Sequence, residues 1–438
     1  METPNLHFRT APVKLPRPLA TTLAQPGQAA DEPMVWLRRG EGTVAWGQAA
    51  GLEITGPDRF GQAAAWFSDV IAAAQVEGPG GGSQVPGMCP MALGTFSFAD
   101  NSAMPSRLVI PAVAVSQRRG IDWITTAAVG EAPNPLAIWQ AIAASATDNP
   151  APLPAMQELP GHHSATTWPD VIAEALDAIG HRVVDKVVLA RDVLATAAQS
   201  VDLRTVALSL AGAYSNCWTF LLDGLVGATP ELLVRSARGL VTSRVLAGTI
   251  RRTGDDVADL ARAASLARSS KDLEEHQFAV ESVVQALRPF TEELSVPDAP
   301  SVLHLPNVMH LATDVVGDLI GRDLAGGHGS APASLVLAGA LHPTAAVCGT
   351  PRQAAFELLE HLEQADRGRY SGPVGWMAAD GAGEWGIALR CAQFNQDRRQ
   401  AQLWAGGGIV AASDPAGELA ETEAKLAPMR QALGLTTV

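Results

Sequence analysis

The sequence predicts an α+β fold built on large antiparallel sheets. Three observations predict it. Residues 182–194 (RVVDKVVLARDVL) are Val-rich and alternate, as a half-buried strand does. Near the C-terminus, three apolar runs are separated by the short turn signals DGAG and NQDR. Helical-period segments interrupt the strands here and there and do not alternate with them, which separates this pattern from a parallel α/β chain.

Taken in order, residues 1–33 are rich in Pro, Thr and Ala and read as an irregular lead-in. Residues 34–438 read as a single α+β domain, with 34–150 mainly scaffold and 165–438 carrying the chemistry. Two stretches look like flexible connections: 77–87 (EGPGGGSQVPG), and 147–170 with Pro150, Pro152, Pro154 and Pro160. A helix is expected over 170–179, followed by the strand at 182–194. Further strands are expected over 218–226, 232–235 and 239–246. Residues 271–288 place Leu273, Val280, Val283, Val284 and Leu287 at helical spacing. A shorter helix is expected over 354–365. The segments GPVGWMAAD, EWGIALRCAQF and QAQLWAGGGIV then read as one antiparallel meander. Ser413, Asp414 and Pro415 open a last helix over 416–433.

Composition excludes several classes of function. At 438 residues, 47% hydrophobic and 17% charged, the chain can bury a large core. A net charge of -14 disfavours nucleic acid and anionic membranes as partners. Cys89, Cys217, Cys348 and Cys391 are scattered, without zinc-site spacing or a disulfide framework, which fits a reducing cytoplasm. No apolar run reaches membrane-spanning length and no compact signal segment opens the chain.

Four groups of residues could carry chemistry. On a strand, Lys186 shares a face with Val188 and Ala190. An ammonium among apolar neighbours loses its proton more easily, so it could serve as a general base. Taken alone, it reads more readily as a snorkelling lysine at a strand edge. Glu231 ends the GATPE turn, where it could present a proton donor at a sheet rim or simply be a solvated turn residue. Asp272 and Glu275 are three apart on one helix. Glu418, Glu421 and Lys425 share a face of another. Two such acidic faces could hold Mg²⁺ through oxygen ligands, or be solvated surfaces. The run Gly406–Gly408 lets backbone approach a carboxylate closely. The run Gly78–Gly82 lacks the Lys-Ser/Thr of a phosphate loop. His162 and His163 suggest no metal, and His276 and His342 are ambiguous.

In order along the chain, DKVVLAR, GATPELLVR, LAGTIRR, SSKDLEEH, HLATDVVG, LHPTAAVCGTP, DRGRYSGPVGW, ALRCA, WAGGGIVAASDP and ELAETEAKL cover residues 183–429 almost continuously. With these segments the chain resembles the chorismate-utilising enzymes: isochorismate synthase, salicylate synthase, and the large chains of anthranilate and aminodeoxychorismate synthases. The resemblance implies two large stacked antiparallel β-sheets with helices packed on the outside. It also implies roles. Glu275 and Glu421 match Mg²⁺ ligands, with Asp272 and Glu418 supporting the metal. Lys186 matches the base that activates water, and Glu231 the acid that protonates a leaving hydroxyl. Gly248, Thr249, His342, Ala346, Tyr370, Arg390, Gly408 and Lys425 match substrate-binding positions.

Within that family, Lys186 points to water as the nucleophile, where the anthranilate synthase pattern lacks the lysine. Ala247 stands where aminodeoxychorismate synthases carry a nucleophilic lysine. The closest resemblance is to isochorismate synthase, through LHPTAAVCGTP with Ala345 and Ala346. A salicylate synthase is the alternative, and a non-catalytic chorismate-binding protein is a third reading. A cytoplasmic enzyme without a glutamine amidotransferase subunit is expected, with a monomer plausible for the family.

Overall fold

The structure, a computed structural model, describes residues 3–24, 32–78, 85, 88–144, 150–321 and 331–435. The first half contains strands β1 (Leu6–Val13), β2 (Met34–Arg38), β3 (Glu41–Ile54), β4 (Gln75–Glu77), β5 (Met91–Thr95), β6 (Ser106–Arg118), β7 (Ile121–Val129), β8 (Met156–Pro160) and β9 (Lys186–Ala197). Helices α1 (Arg59–Ala73), α2 (Pro135–Ala144) and α3 (Trp168–Gly180) lie among them. Helix α4 (Leu203–Ala213) leads to β10 (Trp218–Leu222), β11 (Leu225–Thr229), β12 (Leu232–Ala237) and β13 (Leu240–Arg251). Helices α5 (Asp256–Leu266) and α6 (Ser270–Leu287) precede β14 (Thr291–Ser295), β15 (Ser301–His304) and β16 (Val308–Leu319). The chain ends with α7 (Ser334–Leu341), β17 (Gly349–Thr350), α8 (Arg352–Glu363), β18 (Pro373–Ala378), β19 (Gly383–Ile387), β20 (Cys391–Phe394), β21 (Gln400–Ile409) and α9 (Pro415–Ala432).

The class is α+β, and among the described residues all strand pairings but the parallel β1–β4 are antiparallel. The two expected sheets are joined. Strand β6 pairs with β3 along one edge and divides its other edge between β5 and β7. One branch runs β6-β3-β2-β10-β11-β20-β21-β9. The other runs β6-β5-β18-β19-β12-β13-β16. Apolar side chains of both branches, including Trp36, Trp218, Trp376 and Trp404, form a buried cluster between them. Helices α1, α3, α6, α7 and α8 bury apolar faces in a second cluster, and α4 and α9 in a third.

Local sequence explains the two helices that matter most for the site. Ser269 caps α6 by accepting from the Asp272 backbone N–H, and Asp414 caps α9 by accepting from Gly417. Each cap contributes roughly 1 kcal/mol and fixes where the helix starts. The acidic residues that follow therefore fall at set positions in the first turns.

Several expectations need correction. Leu6–Val13 of the expected irregular lead-in is a largely buried strand paired with β7, because its apolar positions alternate toward the core. The Pro-rich connection contains β8, which adds to β9 and ends on Pro160, a residue tolerated at a sheet edge. The single strand expected over 218–226 is a hairpin, turned at Asp223 and Gly224, both with positive φ. The expected meander is two hairpins: β18–β19 belongs to one branch and β20–β21 to the other. Of the expected connection at 77–87, residues 79–84 and 86–87 lie outside the described residues, as do 145–149. Among the described residues no helix is long and apolar enough to cross a membrane.

Candidate active site

Two of the places where the chain crosses between the branches are adjacent, and each carries a site residue. Between β11 and β12 the crossing carries Glu231, and between β19 and β20 it carries Arg390. The crossings are hydrogen-bonded to each other: the Ile387 N–H donates to the Glu231 carbonyl, and the Ala228 N–H to the Arg390 carbonyl. Arg390 takes a left-handed φ of 50°. Such a conformation is strained for a non-glycine residue and tends to mark a site where a side chain must be aimed.

A cleft opens beside these crossings. Its described walls come from β9, β13, β16, β21, α6 and α9, so both branches contribute. The expected residues Glu231, Gly248, Thr249, Glu275, Ala346, Tyr370, Arg390, Gly408 and Lys425 all line it.

Glu231 is buried, and burial raises its carboxyl pKa to about 8, against the lowering influence of Arg390 and a hydrogen bond from Leu246. It is therefore a protonated acid at neutral pH. Lys186 is fully buried at the start of β9, and burial lowers its pKa. Its Nζ lies 3.5 Å from Glu275 Oε1 and 3.3 Å from the Glu275 carbonyl oxygen. Lys186 stands behind the cleft wall, with Glu275 between it and the open space. The two environments push an acid up and a base down, the arrangement an acid–base pair requires.

Strand β13 bulges between Ala247 and Thr249. Gly248 makes the bulge, with φ +75° and only 2.9 Å between a notional Cβ and Asp272 Cβ. A bulge re-aims the next side chain, here Thr249. Its Oγ1 meets His310 Nδ1 at 3.1 Å, and Arg390 Nη2 lies 3.4 Å from His310 Nε2. A guanidinium only donates, so Nε2 accepts and Nδ1–H donates to Thr249. Burial and the neighbouring Arg390 keep His310 neutral. His276 steadies the same bulge from α6, with Nδ1 3.3 Å from the Ala247 carbonyl oxygen. Tyr370 stacks on Trp404, and burial lifts its phenol pKa to about 12, so it stays a donor.

Three carboxylates gather over the glycine run of β21. A Cβ on Gly408 would lie 2.1 Å from Glu275 Oε1, and one on Gly407 would lie 2.9 Å from Glu418 Oε2 and 3.6 Å from Glu421 Oε1. Only glycine leaves room for them. Each carboxylate has a lysine: Lys186 with Glu275, Lys271 with Glu418 at 2.7 Å, and Lys425 with Glu421 at 2.5 Å. Among the described residues no three potential ligands already stand at metal-binding separation. A magnesium ion asks for less, since it is usually held by one or two carboxylates with water and substrate oxygens completing the shell. Glu418 Oε2 is buried without a hydrogen-bond partner, so an acceptor is left over at this spot. The donor set therefore fits a hard cation, with Glu275 lining the cleft and Glu421 and Glu418 beside it over Gly407. Asp272 does not line the cleft; its Cβ and Oδ1 pack against the Gly248 bulge.

One expected residue is elsewhere. His342 does not line the cleft. It is buried between Phe60 and Phe98, with Nε2 2.9 Å from the Phe98 carbonyl oxygen. Burial pulls its pKa down to about 3, as expected of a neutral packing residue. Two contributors carried no expected role. His310 opens the HLATDVVG segment, and its position one strand from Thr249 was the available signal. Arg367, in DRGRYSGPVGW, donates to the Val188 and Val347 carbonyls and pairs with buried Glu363. Glu363 in turn accepts from the Ala190 N–H at 2.6 Å. This clamp holds β9 where Lys186 begins it.

The chain is similar to known proteins over most of its length. The family model described as chorismate binding enzyme matches residues 4–434. A protein of Mycobacterium tuberculosis assigned as isochorismate synthase MenF is 37% identical over 362 residues, covering 80% of this chain and 88% of that one. Isochorismate synthase DhbC of Bacillus subtilis is 38% identical over 275 residues, covering 60% and 67%. The solved structure of MenF, the menaquinone-specific isochorismate synthase of Escherichia coli, superposes with a TM-score of 0.75 at 25% identity, covering 98% and 95%.

Proposed function

The chain belongs to the chorismate-binding enzyme family, and from that premise we propose that it is an isochorismate synthase, an isomerase that turns chorismate into isochorismate. The single observation that carries the chemistry is the opposed pair in one site: Glu231 held protonated and Lys186 biased toward its neutral form.

The proposed reaction balances with these two groups. Lys186 takes a proton from water as the oxygen bonds to ring carbon 2. The ring double bonds shift. Glu231 gives its proton to the 4-hydroxyl, which leaves as water. One proton then returns from Lys186 to Glu231 through solvent. Ala247 offers no nucleophile, so no bond between enzyme and substrate is needed. Arg390 and Tyr370 are proposed to grip a carboxylate of the substrate, with Lys425 alongside. Thr249, oriented by His310, donates from the bulge.

We propose Mg²⁺ as the metal, held by Glu275 and Glu421 and supported by Glu418 and Asp272. It would bind the ring carboxylate and draw electrons from the diene. Because water and not ammonia is the nucleophile, no glutamine amidotransferase partner is proposed. The four cysteines are free, which suits the proposed cytoplasmic setting. The product belongs to menaquinone or siderophore biosynthesis.

The test is to incubate the protein with chorismate and Mg²⁺ and separate the products. Isochorismate alone supports the proposal. Salicylate with pyruvate would instead make it a salicylate synthase, and unchanged chorismate would remove the catalytic reading.

A further inference from the structure

A second cleft is lined in part by β12 and β19 and shares none of the lining residues of the first. Its walls carry Trp36, Trp218 and Trp376 and five arginines, Arg38, Arg39, Arg118, Arg119 and Arg235. Two carboxylates face them, Glu41 and Glu384.

Glu384 is already saturated. Its Oε1 accepts from Trp36 Nε1 at 2.8 Å and from Trp218 Nε1 at 2.7 Å, and its Oε2 takes the Arg235 guanidinium. The other four arginines form no ion pair among the described residues, although Arg38 Nε donates to the Asn216 carbonyl at 2.8 Å and Arg39 Nε to Asn216 Oδ1 at 3.0 Å. Two of them are held against ring faces. Arg38 lies 3.8 Å over Trp218, and Arg118 lies 3.6 Å over Trp376. A ring face offsets part of a cation's desolvation but accepts no hydrogen bond in the guanidinium plane. Arg118 Nε is buried with no hydrogen-bond partner. Burial pulls the pKa of both guanidiniums down to about 10, against the raising influence of Glu384 on both and of Asp380 on Arg118. A buried guanidinium N–H without an acceptor, as at Arg118 Nε, is costly unless something fills it.

We propose that this cleft binds the carboxylate or phosphate group of a small molecule, held by Arg118 and Arg38 over their tryptophans. Guanidinium edges match both groups in a planar fork. The proposal does not depend on the reaction assigned to the first cleft.

The test is calorimetric titration of the full chain with benzoate and, separately, with inorganic phosphate. Saturable binding of either supports the site, and the tighter of the two identifies the acidic group. Arg118→Gln is expected to weaken that binding at least ten-fold while keeping the circular dichroism spectrum and a cooperative melt like those of the unaltered protein, which shows it is folded. Arg38→Gln is the second variant and should weaken binding in the same direction. Arg390→Gln, in the first cleft, should leave it unchanged. No saturable binding of either probe would overturn the proposal. So would binding lost in Arg390→Gln but kept in Arg118→Gln.

Discussion

Lys186 Nζ and Glu275 Oε1 stand 3.5 Å apart, so the proposed base and a proposed metal ligand hold each other. Burial lowers the lysine pKa, while the Glu275 charge raises it. Burial is the larger influence. The lysine is therefore poised to lose a proton, although it has a carboxylate beside it.

The base is tested by substitution. Lys186→Met, close in length and uncharged, is expected to lower isochorismate formation by roughly 10²–10⁴-fold, the range of one general base. Its unfolding midpoint should not fall, since burying a methionine costs less than burying an ammonium. Turnover within a few-fold of the unaltered protein would remove Lys186 from the mechanism.

The acid gives a pH dependence with a definite sign. Glu231 must be protonated to act, and its pKa lies near 8. Thus kcat/KM should fall as pH rises through about 8. On the acid side it should fall as Lys186 becomes charged, giving a bell. Glu231→Gln should cut activity by roughly 10²–10⁴-fold. Stability provides an independent reading. A carboxyl whose folded pKa is raised above its unfolded value of 4.5 contributes stability below that value and loses it as pH climbs toward 8. Glu231→Gln should therefore unfold at a higher temperature than the unaltered protein at pH 9, with the difference shrinking toward pH 5. A difference independent of pH would mean that the carboxyl is not held neutral.

For the metal, the expected readout is both activity and melting temperature. Chelation should stop turnover, and Mg²⁺ should restore it. Saturating Mg²⁺ at 100 times its Kd should stabilise the protein by about 2.7 kcal/mol, detectable as a melting shift. Glu421→Gln should abolish that shift. Full activity in excess chelator would show that the carboxylates over Gly407 and Gly408 serve another purpose.

His342 offers a contrasting prediction. Because it packs between Phe60 and Phe98 away from the cleft, His342→Leu should leave KM for chorismate unchanged and lower the melting temperature. A large rise in KM with no loss of stability would return His342 to the substrate site.

Much of this was legible in the sequence, for physical reasons. Asp414 and Ser269 announce their helices because capping is local chemistry, and the carboxylates of α6 and α9 follow at fixed spacing. Lys186 was legible as a strand residue, but a snorkelling lysine at a strand edge was the readier reading of the residue alone, and its full burial appears only once the sheets are packed. The crossings at Glu231 and Arg390 were not legible. Each looks like an ordinary turn until β11 and β12, or β19 and β20, are seen to pair in different branches. That pairing is set by contacts far apart in the chain. The same is true of His310, which gains its role only when β16 pairs with β13. The His342 expectation failed because a motif match fixes position along the chain and not which way a side chain faces.

The most direct test of the account is to run the reaction in ¹⁸O-labelled water and weigh the product. Water activated at Lys186 predicts isochorismate carrying one ¹⁸O, in the new ring hydroxyl, from the unaltered protein. Unlabelled isochorismate would mean that the hydroxyl migrates within the substrate, and would contradict the account.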